Sequence, residues 1–243
     1  MYGRRARLGV LLPSQIVAIE PEFGLVTPPG VSCHYHRFNF EAAGIDDKEV
    51  VARLKKAEEY VADAAALISH VRPAVVAMTG TGVSFIEGPG HDQVLIRKMM
   101  DRNGNIPATT TSTSVVAAFN RMGIRKVSIA MPYVEAVARA GVKFVEAGGV
   151  EVLDARWLHM AGYKIAELPA ETAYQLAKEV DKPGSDAVFI SCVNWHTFEI
   201  IDKLERELQK PVITSNQATI WNMLRMAGVN DRIKGYGRLL SDY

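Results

Sequence analysis

The chain has 243 residues, 48% hydrophobic and 23% charged, with 28 Lys and Arg against 27 Asp and Glu for a net charge of +1. That balance carries no basic footprint for nucleic acid and no acidic solvating tail, and the composition excludes disorder, collagen and coiled coil. Apolar runs such as 8–13 and 187–190 fall far short of the roughly 20 residues that cross a bilayer, so the expected partner is a small molecule, with no nucleic acid and no membrane, for a monomer or small homo-oligomer.

The charged start before residues 8–12 runs into Pro13-Ser14 rather than a signal-peptide core, so 8–12 reads as the first strand and the setting as cytoplasmic. A strand over 31–38 follows, then a helix over 47–71 with Val50, Val51, Leu54, Ala57, Val61, Ala64, Ala65 and Ile68 on one stripe. Next come strand 74–78, helix 90–102, strand 108–111 and helix 114–122. The rest of the chain alternates in the same way: strand 127–131, helix 134–147, strand 150–155, helix 170–180, strand 187–191, helix 197–209, strand 212–214 and helix 217–226. Such alternation predicts βαβ units around mainly parallel sheets.

The sequence can be laid on itself. Leu8-Gly-Val-Leu-Leu-Pro-Ser14 matches Val127-Ser-Ile-Ala-Met-Pro-Tyr133, 74–80 matches 186–192, and 107–112 matches 211–216, at offsets of 119, 112 and 104 residues. Two similar α/β domains related by pseudo-symmetry are therefore predicted, one formed by 1–122 with about 217–243 and the other by 123–216. Parallel sheets bind ligands beyond the carboxyl ends of their strands. Facing halves would bring Pro13-Ser14, Gly80-Thr81-Gly82, Thr111-Ser112, Pro132-Tyr133, Cys192-Val193-Asn194 and Ser215-Asn216 to one cleft. Hydroxyls and helix-start amides dominate that set, which suits a carboxylate or another small anion.

Cys192 ends a strand before a helix predicted near 197, where amides and the helix dipole would lower its pKa and make it a nucleophile or proton donor; it reads equally as a small buried core thiol. Cys33 sits inside an alternating strand and is expected to be structural. Two cysteines are too few for a disulfide framework or thiolate cluster, and His34 and His36 lack a further ligand at a recognisable spacing, so no metal is expected. Gly80-Thr-Gly82 has Phe85 where a dinucleotide fingerprint needs its third glycine, and Gly82-Val-Ser84 does not make a hydrolase elbow. Residues 109–114 read as a strand end and helix cap. Tyr133 is either a core or surface aromatic or, by its match to Ser14, a cleft residue.

The ordered set Leu12-Pro13-Ser14, Met78-Thr-Gly-Thr-Gly-Val-Ser-Phe85, Met131-Pro-Tyr133, Ile190-Ser-Cys192 and Gly235-Tyr-Gly-Arg-Leu239 resembles the aspartate/glutamate racemase superfamily, nearest to its arylmalonate decarboxylase and maleate cis-trans isomerase branch. The resemblance implies two pseudo-symmetric, Rossmann-like four-stranded α/β domains with cofactor-independent chemistry in the cleft between them. Racemases of the superfamily carry a cysteine at each of two facing strand ends; here one is Cys192 and the other is replaced by Gly80. That pattern is similar to the decarboxylases, in which a single cysteine protonates an enediolate. It implies Cys192 as general acid, with Tyr133, Thr81, the Gly82 amide and the amides near Val193 holding the remaining carboxylate, and Pro13, Ser14, Gly80 and Asn194 lining the substrate. Leu12, Met160 and Val193 are candidate apolar walls. Gly82 departs from the decarboxylases' carboxylate-binding Ser, and Cys192-Val-Asn-Trp-His-Thr197, Pro13-Ser14-Gln15 and Glu20-Pro21-Glu22-Phe23 resemble the isomerases. The expected activity is decarboxylation of a small aryl- or alkyl-malonate. Isomerase or racemase action on a small dicarboxylate, or dicarboxylate binding without catalysis, are the alternatives.

Overall fold

Residues 2–40 and 44–243 are described by a computed structural model of the chain. Among them, eight strands form two all-parallel sheets. The first holds β1 (Ala6–Pro13), β2 (Val31–Phe38), β3 (Val75–Met78) and β4 (Ala108–Thr110) in the order β2-β1-β3-β4. The second holds β5 (Lys126–Tyr133), β6 (Glu151–Met160), β7 (Ala187–Ile190) and β8 (Val212–Thr214) in the order β6-β5-β7-β8, the same arrangement moved on by four strands. Helices cover both faces of such sheets, so their inner strands are apolar throughout. Every residue of β3 and β7 is accordingly buried.

The first half carries α1 (Ile19–Val26), α2 (Asp47–Ala57), α3 (Val61–Ser69), α4 (Thr81–Phe85), α5 (His91–Arg102) and α6 (Thr111–Met122); the second carries α7 (Glu135–Ala147), α8 (Ala170–Val180) and α9 (Phe198–Leu208), and after β8 the chain returns toward the first half with α10 (Ser215–Met226) and α11 (Arg238–Asp242). The single helix predicted over 47–71 is instead two, divided by a tighter turn at Glu58–Tyr60. The apolar stripe runs through both pieces, but the turn lets them do different work: Glu58 is held there by Lys98 and His91 on α5, α2 lies against α7, and α3 packs on β1. Gly9 makes that last contact possible, since a Cβ there would stand 3.2 Å from Ile68 Cγ1 and 3.3 Å from Val76 Cγ2.

Helices α6 and α10 begin at Thr111 and Ser215, earlier than predicted, because their strands run straight into them. Thr110 Oγ1 accepts the Thr113 N–H, and Thr214 Oγ1 accepts the Gln217 N–H, the latter completing a capping box. The two halves share a core: Phe119 of α6 meets Phe189 of β7 edge-on with centroids 5.6 Å apart, and α10 packs on α6 and β3. No helix among the described residues is long and apolar enough to cross a membrane.

Candidate active site

The carboxyl ends of β1, β3, β5 and β7 converge on a cavity of about 70 Å³. Pro13, Gln15 and Ile16 come from the end of β1, and Gly80, Thr81, Gly82 and Val83 from the junction of β3 and α4. Tyr133 and Val134 follow β5, while Cys192, Val193 and Asn194 follow β7. The roof is apolar: Phe40, Val50 and Leu54 from the first half, and Val137, Met160, Ala161 and Ile165 from the second. No Asp, Glu, Lys, Arg or His is among the described lining residues.

Eight of the nine predicted site residues therefore meet around one space. Ser14 does not line it, because its hydroxyl is taken by a local turn, donating to the Phe40 carbonyl at 2.7 Å and accepting the Phe40 N–H at 3.1 Å. Of the candidate walls, Met160 and Val193 line the cavity, whereas Leu12 is fully buried elsewhere in the core. The ends of β4 and β8 lie one layer behind. Ser215 Oγ there accepts both the Thr81 hydroxyl at 3.2 Å and the Cys192 N–H at 3.1 Å, joining the two halves beneath the cavity floor.

Cys192 is 5% exposed, and its sulfur accepts the Asn194 N–H at 3.3 Å. Burial pushes the thiol up to about 11, against the opposing pull of the Asn194 N–H, the Tyr133 hydroxyl and the Trp195 N–H. This corrects the lowered pKa expected from the nearby helix start. The first amides of α9 are already occupied by Glu22, whose Oε1 accepts from Thr197 at 2.6 Å and Phe198 at 3.0 Å, so they do not stabilise a thiolate. A protonated thiol is a proton donor in waiting rather than a resting nucleophile.

Tyr133 is buried, with its hydroxyl 3.4 Å from Ser191 Oγ and its ring edge against Phe85 of α4. Burial, reinforced by proximity to Cys192, holds the phenol well above its ordinary pKa, so it remains a hydrogen-bond donor. Asn194 spends its side chain on the chain after β1: Oδ1 accepts the Val17 N–H at 2.9 Å and Nδ2 donates to the Gln15 carbonyl at 3.3 Å. It thus presents backbone rather than amide side chain to the sulfur. Gly80 has φ +149°, which few side-chain-bearing residues adopt, and a Cβ there would stand 3.3 Å from Pro13 Cγ. At Gly82 a Cβ would stand 3.2 Å from Leu54 Cδ2, so the helix roof fills the room in which a serine side chain would sit.

Sequence reasoning missed the roof from α2, the Ser215 bridge and Glu22. In sequence, Leu54 and Val50 show only as part of a core stripe, and the Glu-Pro-Glu-Phe segment carries no sign of its partners. Cys33 lies outside the cavity, 3.5 Å from Thr27 Oγ1, with its thiol raised by burial. His34 Nε2 pairs with Ser32 Oγ at 2.9 Å, and no three His, Cys, Asp or Glu among the described residues are grouped to hold a metal.

A sequence model of the family described as arylmalonate decarboxylase matches residues 16–240. The chain is 29% identical to arylmalonate decarboxylase of Bordetella bronchiseptica over 240 residues, covering 95% of this chain and 97% of that one. It is 26% identical to maleate isomerase of Alcaligenes faecalis over 247 residues, covering 97% and 96%. In fold it matches the crystal structure of a Pseudomonas putida maleate isomerase with a TM-score of 0.89 at 22% identity, covering 98% of both chains.

Proposed function

The chain belongs to the arylmalonate decarboxylase family, and within it we propose a cofactor-independent decarboxylase of a small aryl- or alkyl-malonate, with Cys192 as general acid. The observation that carries this reading is the asymmetry of two matching strand ends, a buried protonated thiol at Cys192 and no side chain at Gly80, across an uncharged cavity with an apolar roof.

One substrate carboxylate is held by the Tyr133 hydroxyl, by the Thr81 hydroxyl once it turns from Ser215 onto the substrate, and by the first-turn amides of α4, which have no acceptor within their own helix. The second carboxylate lies toward the apolar roof, where loss of charge is favoured. Its C–C bond breaks, releasing CO2 and leaving the electron pair in an enediolate whose growing oxyanion charge meets those donors. The Cys192 S–H then gives its proton to the α-carbon, yielding the monoacid, and the resulting thiolate recovers a proton from water. Pro13, Gly80 and Val193 shape the floor and Asn194 holds the sulfur; Ser14 acts only by supporting the end of β1.

A second reading, cis-trans isomerisation of a maleate-type diacid, is favoured by the isomerase-like segments around Ser14, Glu22 and Asn194. Covalent addition from the first half would need a nucleophile where Gly80 stands. The deciding experiment incubates the protein in D2O with aryl- and alkyl-malonates, maleate and amino acids, following CO2, isomerisation and α-deuteration. Stoichiometric CO2 with one deuterium at the α-carbon is expected. Isomerised maleate with no CO2 from any malonate would transfer the assignment to the second reading, and inertness toward all of them would leave a binding protein.

A further inference from the structure

The four helices that follow β4, β5, β7 and β8 start in two different ways. α6 and α10 are capped locally by Thr110 and Thr214. α7 and α9, which follow the strand ends bearing Tyr133 and Cys192, have no side-chain cap from their own N-cap residue. Each borrows a carboxylate from the first half instead. Asp47 Oδ1 on α2 accepts the Ala136 N–H of α7 at 3.1 Å. Glu22 on α1 accepts the Thr197 and Phe198 N–H groups at the start of α9.

The Glu22 arrangement goes further. Its Oε2 accepts Asn216 Nδ2 at 2.6 Å, and the same Nδ2 reaches the Val193 carbonyl at 3.2 Å. The segment from Cys192 to Thr197 is therefore fixed at both ends by one buried carboxylate, directly at Thr197 and through Asn216 at Val193. Its middle is pinned to the Gln15 and Val17 backbone by Asn194. The partners of Glu22 named here are all amide N–H groups, and burial raises its carboxyl to about 7 against their pull. A local hydroxyl cap would start α9 without that desolvation. What a local cap could not do is tie the Cys192 segment to α1 across the two halves.

We propose that Glu22 is a positioning residue for Cys192: with Asn216 it fixes segment 192–197 so that the Asn194 N–H stays on the sulfur and the thiol stays buried beneath the substrate. The inference rests on Cys192 being the reacting group, but its first test needs no substrate. Native protein is alkylated with iodoacetamide at pH 8, and Cys192 and Cys33 are quantified separately by peptide mass spectrometry, Cys33 serving as the internal reference. Asn216→Ala cuts only the Val193 end and Glu22→Ala cuts both. Glu205→Gln is the control, since Glu205 accepts the Val212 and Arg238 N–H groups toward the other end of α9 and lies outside the cavity.

Cys192 labelling should accelerate roughly tenfold or more in Asn216→Ala, the scale of one lost buried hydrogen bond, and further in Glu22→Ala, with Cys33 unchanged. Equal rates in parent and Asn216→Ala would overturn the proposal even if Glu22→Ala does not fold. So would Glu205→Gln accelerating Cys192 as much as Glu22→Ala, because general loosening would then explain both. Where a malonate is turned over, kcat should fall in Asn216→Ala with KM nearly steady. Faster labelling with unchanged kcat would also overturn it. A parent that turns over no malonate leaves the labelling comparison to decide.

Discussion

The end of β3 and the end of β7 occupy the same place in two sheets of identical order, yet they are built for opposite tasks. After β7 the chain offers a thiol, held by the Asn194 N–H and backed by Glu22 and Ser215. After β3 it offers nothing at Gly80, turns through a φ of +149°, and goes directly into the short helix α4. The duplicated fold provides two equivalent perches, and in this chain one is armed while the other is kept as space. A single-acid reaction needs that asymmetry, whereas proton exchange on both faces would need symmetry.

The harshest way to break the comparison is to disarm the occupied side. Cys192→Ala should abolish turnover while leaving the fold intact, checked by CO2 release and circular dichroism; retained turnover would remove the thiol from the mechanism. With Cys192 as the proposed general acid, the protonated thiol would be the active form of the parent, so the alkaline fall in rate should come near pH 11 rather than at the ordinary 9.0. Next, Tyr133→Phe should slow the reaction by about 10- to 1000-fold, the range for one oxyanion donor. A rate equal to the parent's would mean that Tyr133 does not meet the substrate.

The support beneath the thiol can be probed by titration. Glu22 lies near pKa 7 when folded against an ordinary 4.5, so its favourable contribution is complete below pH 4.5 and lost as pH rises through 7. With about 1.4 kcal/mol per unit, Glu22→Gln should gain roughly 3 kcal/mol relative to the parent between pH 4.5 and 8. Urea midpoints of both proteins at the two pH values measure this, and a constant difference would mean an ordinary carboxyl. The mildest change arms the empty side. Gly80→Cys should cost about 1–3 kcal/mol because of its φ, while exchanging the α-proton of an α-aryl or α-carboxyl acid that the parent leaves alone and eroding the enantiomeric excess of decarboxylation. If the folded variant shows neither change, the two strand ends do not face one substrate.

Much of this was legible in sequence because strands ending in Pro or a hydroxyl, and the order of those ends, are local features. The ends of β1, β3, β5 and β7 are readable from the sequence alone. The short α4 was not, since Gly80 and Gly82 in Thr-Gly-Thr-Gly read as a loop. Nor was α1, whose Pro21 looks like a breaker but stands in the first turn, where its missing N–H has no intrahelical acceptor to lose. The sign of the Cys192 shift escaped for another reason. Sequence showed the amides but neither how deeply the thiol is buried nor that α9's first amides belong to Glu22, 175 residues away. Ser14 matched Tyr133 in the repeat, but its hydroxyl was claimed by Phe40, a residue outside the repeat.

The ring contact between Phe119 and Phe189 fixes which side of the cavity is the more rigid. It lies where the halves meet, and with α10 laid on α6 and β3 it makes the floor common to both. Close-packed interiors do not stretch, so the sheets cannot swing apart as jaws without breaking that floor. The roof is lighter: α2 covers the cavity with Val50 and Leu54 and is tied to α7 by the Ala136 N–H on Asp47. The α2 side of the cavity is therefore held more lightly than the floor that the two halves share.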